Sequence, residues 1–331
     1  MIKFSIIIPC YNSEYFIDKC LNKLNDISFN KREYEVIFID DFSTDNTYQK
    51  LENYSSQIDF KVKLLRNKVN SGPGLSRRMA AEAASGEFLC FCDSDDWFLS
   101  SVLSDLDQEI KKSKSDLVFF DMSYILGVKV IRKNYTAPFE YGNKLSYLSN
   151  CAESLCNLAV SRTLFLLIPS VDIRIGEDLA LVPLLIANAN KVSHIDKSYY
   201  NYVLRNDSIS LGKIKKDGYI YMLQAFEHIR INLESDNEDI KKCIEYLGIK
   251  TVLYNSTISA IKGENNNRLL DKIVTDFTSK YPDWNDNIYI ANFGLVKNVY
   301  IWFLKHKIWK ICRLYVSLHS YILTQGKNVF F

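Results

Sequence analysis

The chain has 331 residues, 47% of them apolar and 24% charged, enough to bury the core of one large or two modest domains. Its formal net charge of +2 argues against bulk nucleic-acid binding, which goes with a strongly basic balance. The eight cysteines form no Cys-x-x-Cys pair and the four histidines are scattered, which points to buried, reduced thiols rather than a disulfide framework or a zinc site.

The N-terminus runs straight into an apolar segment with no basic region and no cleavage site, and no stretch reaches the ~18 uninterrupted apolar residues of a spanning helix. A cytoplasmic location is expected for the N-terminal part. From Phe4 to Phe120, strand and helix signals alternate. Phe4–Pro9 is a β-branched strand, followed by a helix through Ile17, Cys20, Leu21 and Leu24, with Asn12 or Ser13 as its N-cap. Tyr34–Ile39 is a second strand; Ser43-Thr44-Asp45 caps a helix running to about Tyr54; Val62–Leu65 is a third strand. Gly72-Pro73-Gly74 makes a turn before an Ala-rich helix over Leu75–Ala84. Phe88–Cys92 is a fourth strand, Leu99–Lys112 a helix and Leu117–Phe120 a fifth strand. Residues 122–175 are hairpin-like and rich in turns. Glu177-Asp178 opens an apolar helix to Ala189, and Val192–Ile195 and Ser198–Val203 read as strands.

This alternation predicts an α/β fold with a doubly wound, mostly parallel sheet. Such sheets bind ligands beyond the carboxyl ends of their strands, where the strand order reverses. That rule gathers Pro9-Cys10-Tyr11-Asn12, Asp40-Asp41 and Asp93-Ser94-Asp95-Asp96 on one rim. Three carboxylates in four residues repel one another unless a cation neutralises them, and Mg²⁺ or Mn²⁺ prefers such oxygens. An extended backbone would put Asp93 and Asp95 on the same side; the simpler alternative is that Asp95 or Asp96 caps the following helix. Asp41 suits contact with a nucleobase, Arg77 suits a phosphate or else a solvated helix face, and Asp178 suits a general base or a helix cap.

These patches, in this order, resemble the family 2 glycosyltransferases of the GT-A fold. The matching segments are 5–12, 39–47, 70–72 with Arg77, 93–97 and Gly176-Glu177-Asp178, closed by 202–210 with Arg205 and Ser208-Ile209-Ser210. The resemblance implies that Pro9 and Tyr11 line a uracil and that Asp41 pairs with it. It implies that Arg77 and Asp93 lie near ribose and diphosphate, that Asp95, helped by Asp93, holds Mn²⁺ or Mg²⁺, and that Asp96 faces the donor sugar. Trp97 and Glu177 would face the acceptor, and Asp178 would be the base of an inverting transfer. Arg78 stands where the family often has a small polar residue. Tyr202 and Val203 occupy a zone where some members carry a metal-binding histidine.

The same resemblance extends to bacterial O-antigen and capsule repeat-unit enzymes. It implies a UDP-sugar donor, glucose or galactose favoured, a β linkage, and a saccharide acceptor linked to polyprenyl diphosphate, such as GlcNAc-diphosphate-lipid. A GT-A nucleotidyltransferase is the enzyme alternative, although Pro9-Cys10-Tyr11-Asn12 is not the glycine-rich loop those carry; a non-catalytic membrane-associated scaffold is the other. Residues 1–212 are expected to form the catalytic domain and 213–331 a helical region. After Asp286 there is no acidic residue, while Lys297, Lys305, Lys307, Lys310, Arg313 and Lys327 are basic among tryptophans and aliphatics. Residues 297–325 would therefore lie on the inner face of the cell membrane or pack an aromatic stripe on the catalytic domain.

Overall fold

The computed structural model describes residues 1–127, 129–133, 143–150, 154–173, 176–204, 218–233 and 237–329, with side chains of the last helix described up to residue 319. The chain divides into two compact units, Met1–Leu204 and Arg205–Phe331. The domain boundary expected near 212 falls outside the described residues.

The first unit is built on one mixed sheet. Its strands are β1 (Phe4–Cys10), β2 (Tyr34–Asp40), β3 (Lys61–Arg66), β4 (Phe88–Phe91), β5 (Trp97–Phe98), β6 (Leu117–Leu126), β7 (Lys129–Lys133), β8 (Leu158–Ser161) and β9 (Val192–Val203). They order as β3-β2-β1-β4-β8-β6-β9-β5, with β7 paired to β6. The four strands β3 to β4 are parallel, as the crossover pattern predicts. Beyond β4 the sheet departs from the mostly parallel expectation: β8 runs antiparallel to both β4 and β6, and β5 antiparallel to β9. Strand β8 is only four residues long and sits in the turn-rich stretch, where periodicity is too short to read. The two runs expected at 192–195 and 198–203 are one strand, with a register irregularity where it passes Phe120 and Asp121.

Burial explains the central strands. Every residue of β2 and β4 is buried, and β1 is buried apart from a half-buried Pro9. Such two-sided burial produces continuous apolar runs rather than alternation. Phe4, Ile6 and Ile8 join one core with Ile17, Cys20, Leu21 and Leu24 of α1 (Ile17–Leu24), Leu51 of α2 (Thr47–Ser55), and Val102, Leu103, Leu106 and Ile110 of α4 (Val102–Ser113). The other face is covered by α3 (Pro73–Ala83) and α6 (Arg162–Leu167), with the Phe91 and Phe165 rings 4.9 Å apart. Two helices remain in this unit, α5 (Lys144–Asn150) and α7 (Glu177–Asn188).

Edge strand β3 is half exposed and carries Lys61, Lys63 and Arg66, a charged edge that resists further strand pairing. Lys61 and Lys63 reach the fully buried Glu35 at 2.9 and 3.3 Å. Burial alone would raise the Glu35 carboxyl, but Lys61, the Ser85 amide and the Ser5 hydroxyl together hold it below its ordinary range. Ser5 Oγ also accepts from the Gly86 amide at 2.9 Å, and a Cβ on Gly86 would meet Ser5 N at 2.6 Å. Only glycine permits that approach.

The second unit is helical, as expected from 213 onward. It contains α8 (Gly218–Asn232), α9 (Glu238–Gly248), a π-helical stretch (Ile249–Ser256), α10 (Thr257–Gly263), α11 (Asn267–Lys280), α12 (Leu295–Lys305) and α13 (Trp309–Val329). Seven cysteines across the described residues are free and buried. Among the described residues no helix is long and apolar enough to cross a membrane.

Candidate functional site

The carboxyl ends of β1, β2 and β4 bring three loops together at the point where strand order reverses. Cys10 registers with Asp40, and Ile7 with Phe91. The Asn12 amide donates to Ser43 Oγ at 2.9 Å, and Asn12 Oδ1 accepts from the Thr44 amide at 2.9 Å. The Ser13 amide donates to Thr47 Oγ1 at 2.7 Å, while Ser13 Oγ lies 2.8 Å from Ser94 Oγ. Asn12 and Ser13 therefore knit the rim and do not cap α1, which starts at Ile17 with Phe16 in the cap position. Asp45 accepts from the Thr47 and Glu14 amides at 3.0 and 3.1 Å, opening α2 through a local turn. Asn12 and Phe42 both adopt positive φ, 47° and 65°. For Phe42 that is a strained state, held in place by the loop around it. Tyr11 and Phe42 are the half-exposed aromatic groups on this rim.

Asp41 is buried and pins the next loop. Its Oδ1 accepts from Asn67 Nδ2 at 2.6 Å and the Ser71 amide at 2.8 Å; its Oδ2 accepts from the Gly72 amide at 2.8 Å. A carboxylate oxygen has two acceptor positions, so Oδ2 retains one for a further donor. Gly72, at φ 83°, precedes α3, which begins at Pro73 rather than after Gly74.

The acidic segment is a turn, not the extended strand expected: the Asp96 amide donates to the Asp93 carbonyl at 3.1 Å. The alternation that put Asp93 and Asp95 on one side therefore does not apply. Neither Asp95 nor Asp96 caps a helix, since α4 starts at Val102. Asp96 is fully buried. Its Oδ2 accepts from the Tyr200 hydroxyl at 2.6 Å and its Oδ1 from the Val203 amide at 2.7 Å. The same Tyr200 oxygen accepts from the Asp93 amide at 3.1 Å. Burial, then Asp95 and Asp93, push the Asp96 carboxyl well above its ordinary range. Asp96 thus ties the turn to β9.

Arg77 is the centre of the site. It is 4% exposed, which removes the solvated-face alternative. Nη2 contacts Asp93 Oδ1 at 2.6 Å, Nη1 pairs with Glu177, and Asp178 Oδ1 stands 4.0 Å from Nη1. Burial alone would make Arg77 easier to deprotonate, but Asp93, Glu177 and Asp178 keep it firmly charged. Gly176, at φ 84°, leads into α7 and sets both acidic residues in its first turn. Asp178 Oδ2 accepts from the Leu155 amide at 3.2 Å, so it does not cap its own helix; Oδ1 has no hydrogen bond among the described residues. The Asp178 carboxyl is pushed up to about 7 by burial and by Glu177, against the pull of Arg77. Arg78 points elsewhere: it donates to the Leu166 and Ile168 carbonyls at 3.2 and 2.8 Å, closing the end of α6.

Residues 5–166 match the family described as "Glycosyl transferase family 2". The chain is 32% identical over 250 residues to the poly(ribitol-phosphate) beta-N-acetylglucosaminyltransferase TarS of Staphylococcus aureus, which covers 72% of this chain. The chain spans only 43% of that relative's length. The chain belongs to glycosyl transferase family 2. A second relative, the UDP-Glc:alpha-D-GlcNAc-diphosphoundecaprenol beta-1,3-glucosyltransferase WfgD of Escherichia coli, is 29% identical over 217 residues, 64% of this chain and 81% of its own. The crystal structure of S. aureus TarS 1–349 with UDP-GlcNAc superposes with a TM-score of 0.75 at 24% identity, covering 98% of this chain and 92% of that one. The fold is GT-A.

In this family 2 unit, two expected acceptor contacts stand otherwise. Glu177 is buried and spends its carboxylate on Arg77. Trp97 is 8% exposed in β5, with Lys19 Nζ 3.7 Å from its ring centroid. Tyr200 had no sequence signal of its own, lying inside the strand-like run 198–203. Of the closing segment 202–210, residues 205–210, with Arg205 and Ser208-Ile209-Ser210, lie outside the described residues. Among the described residues, no group of three or more His, Cys, Asp or Glu side chains is arranged to hold a metal ion. Asp93, one-third exposed, and half-buried Asp95 are the carboxylates that would hold a hard cation here, since Mg²⁺-like ions bind through one or two carboxylates plus substrate phosphate.

Proposed function

We propose that this protein is an inverting glycosyltransferase that moves a hexose, glucose or galactose favoured, from UDP to a hydroxyl of a lipid-linked saccharide with a β linkage. WfgD, which by its name uses UDP-Glc and a diphosphoundecaprenol-linked GlcNAc, supports the donor and the acceptor class; TarS extends that class to polyol-phosphate saccharides. Pro9 and Tyr11 flank the base, and the spare acceptor position on Asp41 Oδ2 takes its N–H. Asp95, with Asp93, would hold Mn²⁺ or Mg²⁺, which supplies charge neutralisation for the leaving diphosphate. Arg77 adds fixed positive charge from a buried position, where no reorganisation is needed during reaction. Asp178 accepts the proton of the acceptor hydroxyl, which displaces the diphosphate from the opposite face of the anomeric carbon. The enzyme works peripherally at the cytoplasmic membrane surface, where lipid-linked acceptors are found.

The observation that carries this reading is the unbonded Asp178 Oδ1 4.0 Å from Arg77, which itself grips Asp93. One linked cluster thus supplies a proton acceptor and a charge sink. The test is UDP release from UDP-glucose, UDP-galactose and UDP-GlcNAc with Mn²⁺, against synthetic GlcNAc-diphosphate-lipid and poly(ribitol phosphate). Acceptor-dependent release that disappears in Asp178→Asn is expected. No acceptor-dependent release from any pair, or near-normal turnover in that variant, would overturn the assignment.

A further inference from the structure

The second unit carries an unusual helix. On one side of α12, Tyr300, Ile301 and Leu304 are buried. On the other side, Leu295 (81% exposed), Val299 and Trp302 (51%) recur at helical spacing, with Val296 beside them. A helix apolar on both sides is normally enclosed, so one with a bare apolar face is built to meet a second apolar phase. The next helix repeats the device: α13 buries Trp309, Cys312 and Val316 and exposes Ile311, Leu314 and Leu318.

Charge says what that phase is. Lys305, Lys307 and Lys310 are exposed at the junction of the two helices, Arg313 donates to neutral oxygens of Asn265 and Asn267, and among the described residues only Lys307 of these four reaches an acidic group, Asp271 at 3.4 Å. No acidic residue follows Asp286. A second copy docked on this face would set positive charge against positive charge, which disfavours pairing. An anionic bilayer complements both features, with aliphatic side chains entering the acyl boundary, tryptophan at headgroup level and lysines on the phosphates.

We propose that α12 and α13 are a docking surface for an anionic lipid bilayer, lying in its interface rather than crossing it. This deepens the peripheral-membrane part of the proposed function, and its test reads lipid binding alone, so loss of transfer and loss of docking are distinguishable. Trp302 is the exposed tryptophan of the four; Trp97, Trp284 and Trp309 are all buried. Fluorescence of the full chain should therefore shift to the blue with phosphatidylcholine vesicles containing phosphatidylglycerol, and Trp302→Phe should lose that shift. The same vesicles should carry the protein upward in flotation, and Leu295→Glu/Trp302→Glu should stay at the bottom with an unchanged melting temperature. Each of Lys305→Gln and Lys310→Gln should weaken partition by roughly five-fold. Equal flotation with pure phosphatidylcholine, or flotation retained by the double variant, would overturn the proposal. So would a lipid-free blue shift that grows with protein concentration, which would assign the face to a second copy.

Discussion

Asp178 Oδ1 stands 4.0 Å from Arg77 Nη1 with no hydrogen bond among the described residues, while its neighbour Glu177 takes the direct ion pair with the same guanidinium. Two adjacent carboxylates thereby stand differently: one pairs with the charged arginine, and the other, in the proposed mechanism, keeps its basicity. A general base operates best near the ambient pH, and the Asp178 carboxyl is pushed up to about 7. Asp178→Asn should lower kcat by roughly 10²–10⁴ while donor binding is retained. The proposed base acts only when ionised, so the parent rate should climb about tenfold per pH unit and level off above about 7. UDP release measured from about pH 5 to about pH 9 checks this, and a flat profile would contradict it.

The same shift has a cost in stability, and its sign is opposite to that of an ordinary salt-bridged carboxylate. In the unfolded chain Asp178 loses its proton near its ordinary value of 3.8, but in the fold only at about 7. The folded state therefore holds the proton more tightly, and stability falls as pH rises between those values. Above about 7 the loss is complete, on the order of 1–3 kcal/mol after allowance for partial exposure. Asp178→Asn removes it. The variant should melt higher than the parent at about pH 8 and converge with it at about pH 4, read by thermal unfolding at both values.

Arg77 answers a different question, namely what holds the buried acidic pair together. Replacing it by Ala leaves Glu177 buried without its partner, a loss of about 3–5 kcal/mol. Arg77→Lys keeps the charge but not the fork that reaches Asp93 and Glu177 at once, so its activity should fall although more of its stability survives. Combining Arg77→Ala with Glu177→Ala should recover part of the lost stability, because no charge is then stranded. Urea midpoints of the three variants decide it: a double variant no more stable than Arg77→Ala would show that the ion pair is not what the site depends on.

Much of this was legible in the sequence. Strands buried on both faces leave unbroken apolar runs, so β1, β2 and β4 and the rim they share could be placed from Phe4, Tyr34 and Phe88 onward. What could not be read depends on distance along the chain. Glu177 meets Arg77 across 100 residues, and Tyr200 meets Asp96 across 104; neither residue type announces its partner. The short strand β8, set antiparallel between β4 and β6, is specified by its neighbours rather than by its own four residues. The turn at Asp93–Asp96 is made of turn-forming Asp and Ser residues, but the hydrogen bonds from Tyr200 and Val203 that fix it come from more than 100 residues away.

Gly74 shows how tightly this cluster is fitted. A Cβ there would meet Glu177 Cβ at 3.2 Å and Cγ at 3.3 Å, and the Val171 carbonyl at 3.5 Å. Gly74 lies in the first turn of α3, where alanine is the better helix former by up to about 1 kcal/mol. Gly74→Ala therefore sets a gain in helix propensity against a push of a few tenths of an ångström on Glu177. Glu177 Cβ is fixed by its own backbone, so the first turn of α7 must shift, and it carries the Glu177 carboxylate and Arg77 with it. Misplacements of about 1 Å at such positions cost roughly 10²-fold in rate, so a shift of this size should lower kcat about tenfold. Stability should stay within about 1 kcal/mol of the parent. Steady-state kinetics beside a urea titration separates the effects: unchanged kcat would mean that Glu177 can move without disturbing Arg77, and that the close approach at Gly74 serves packing alone.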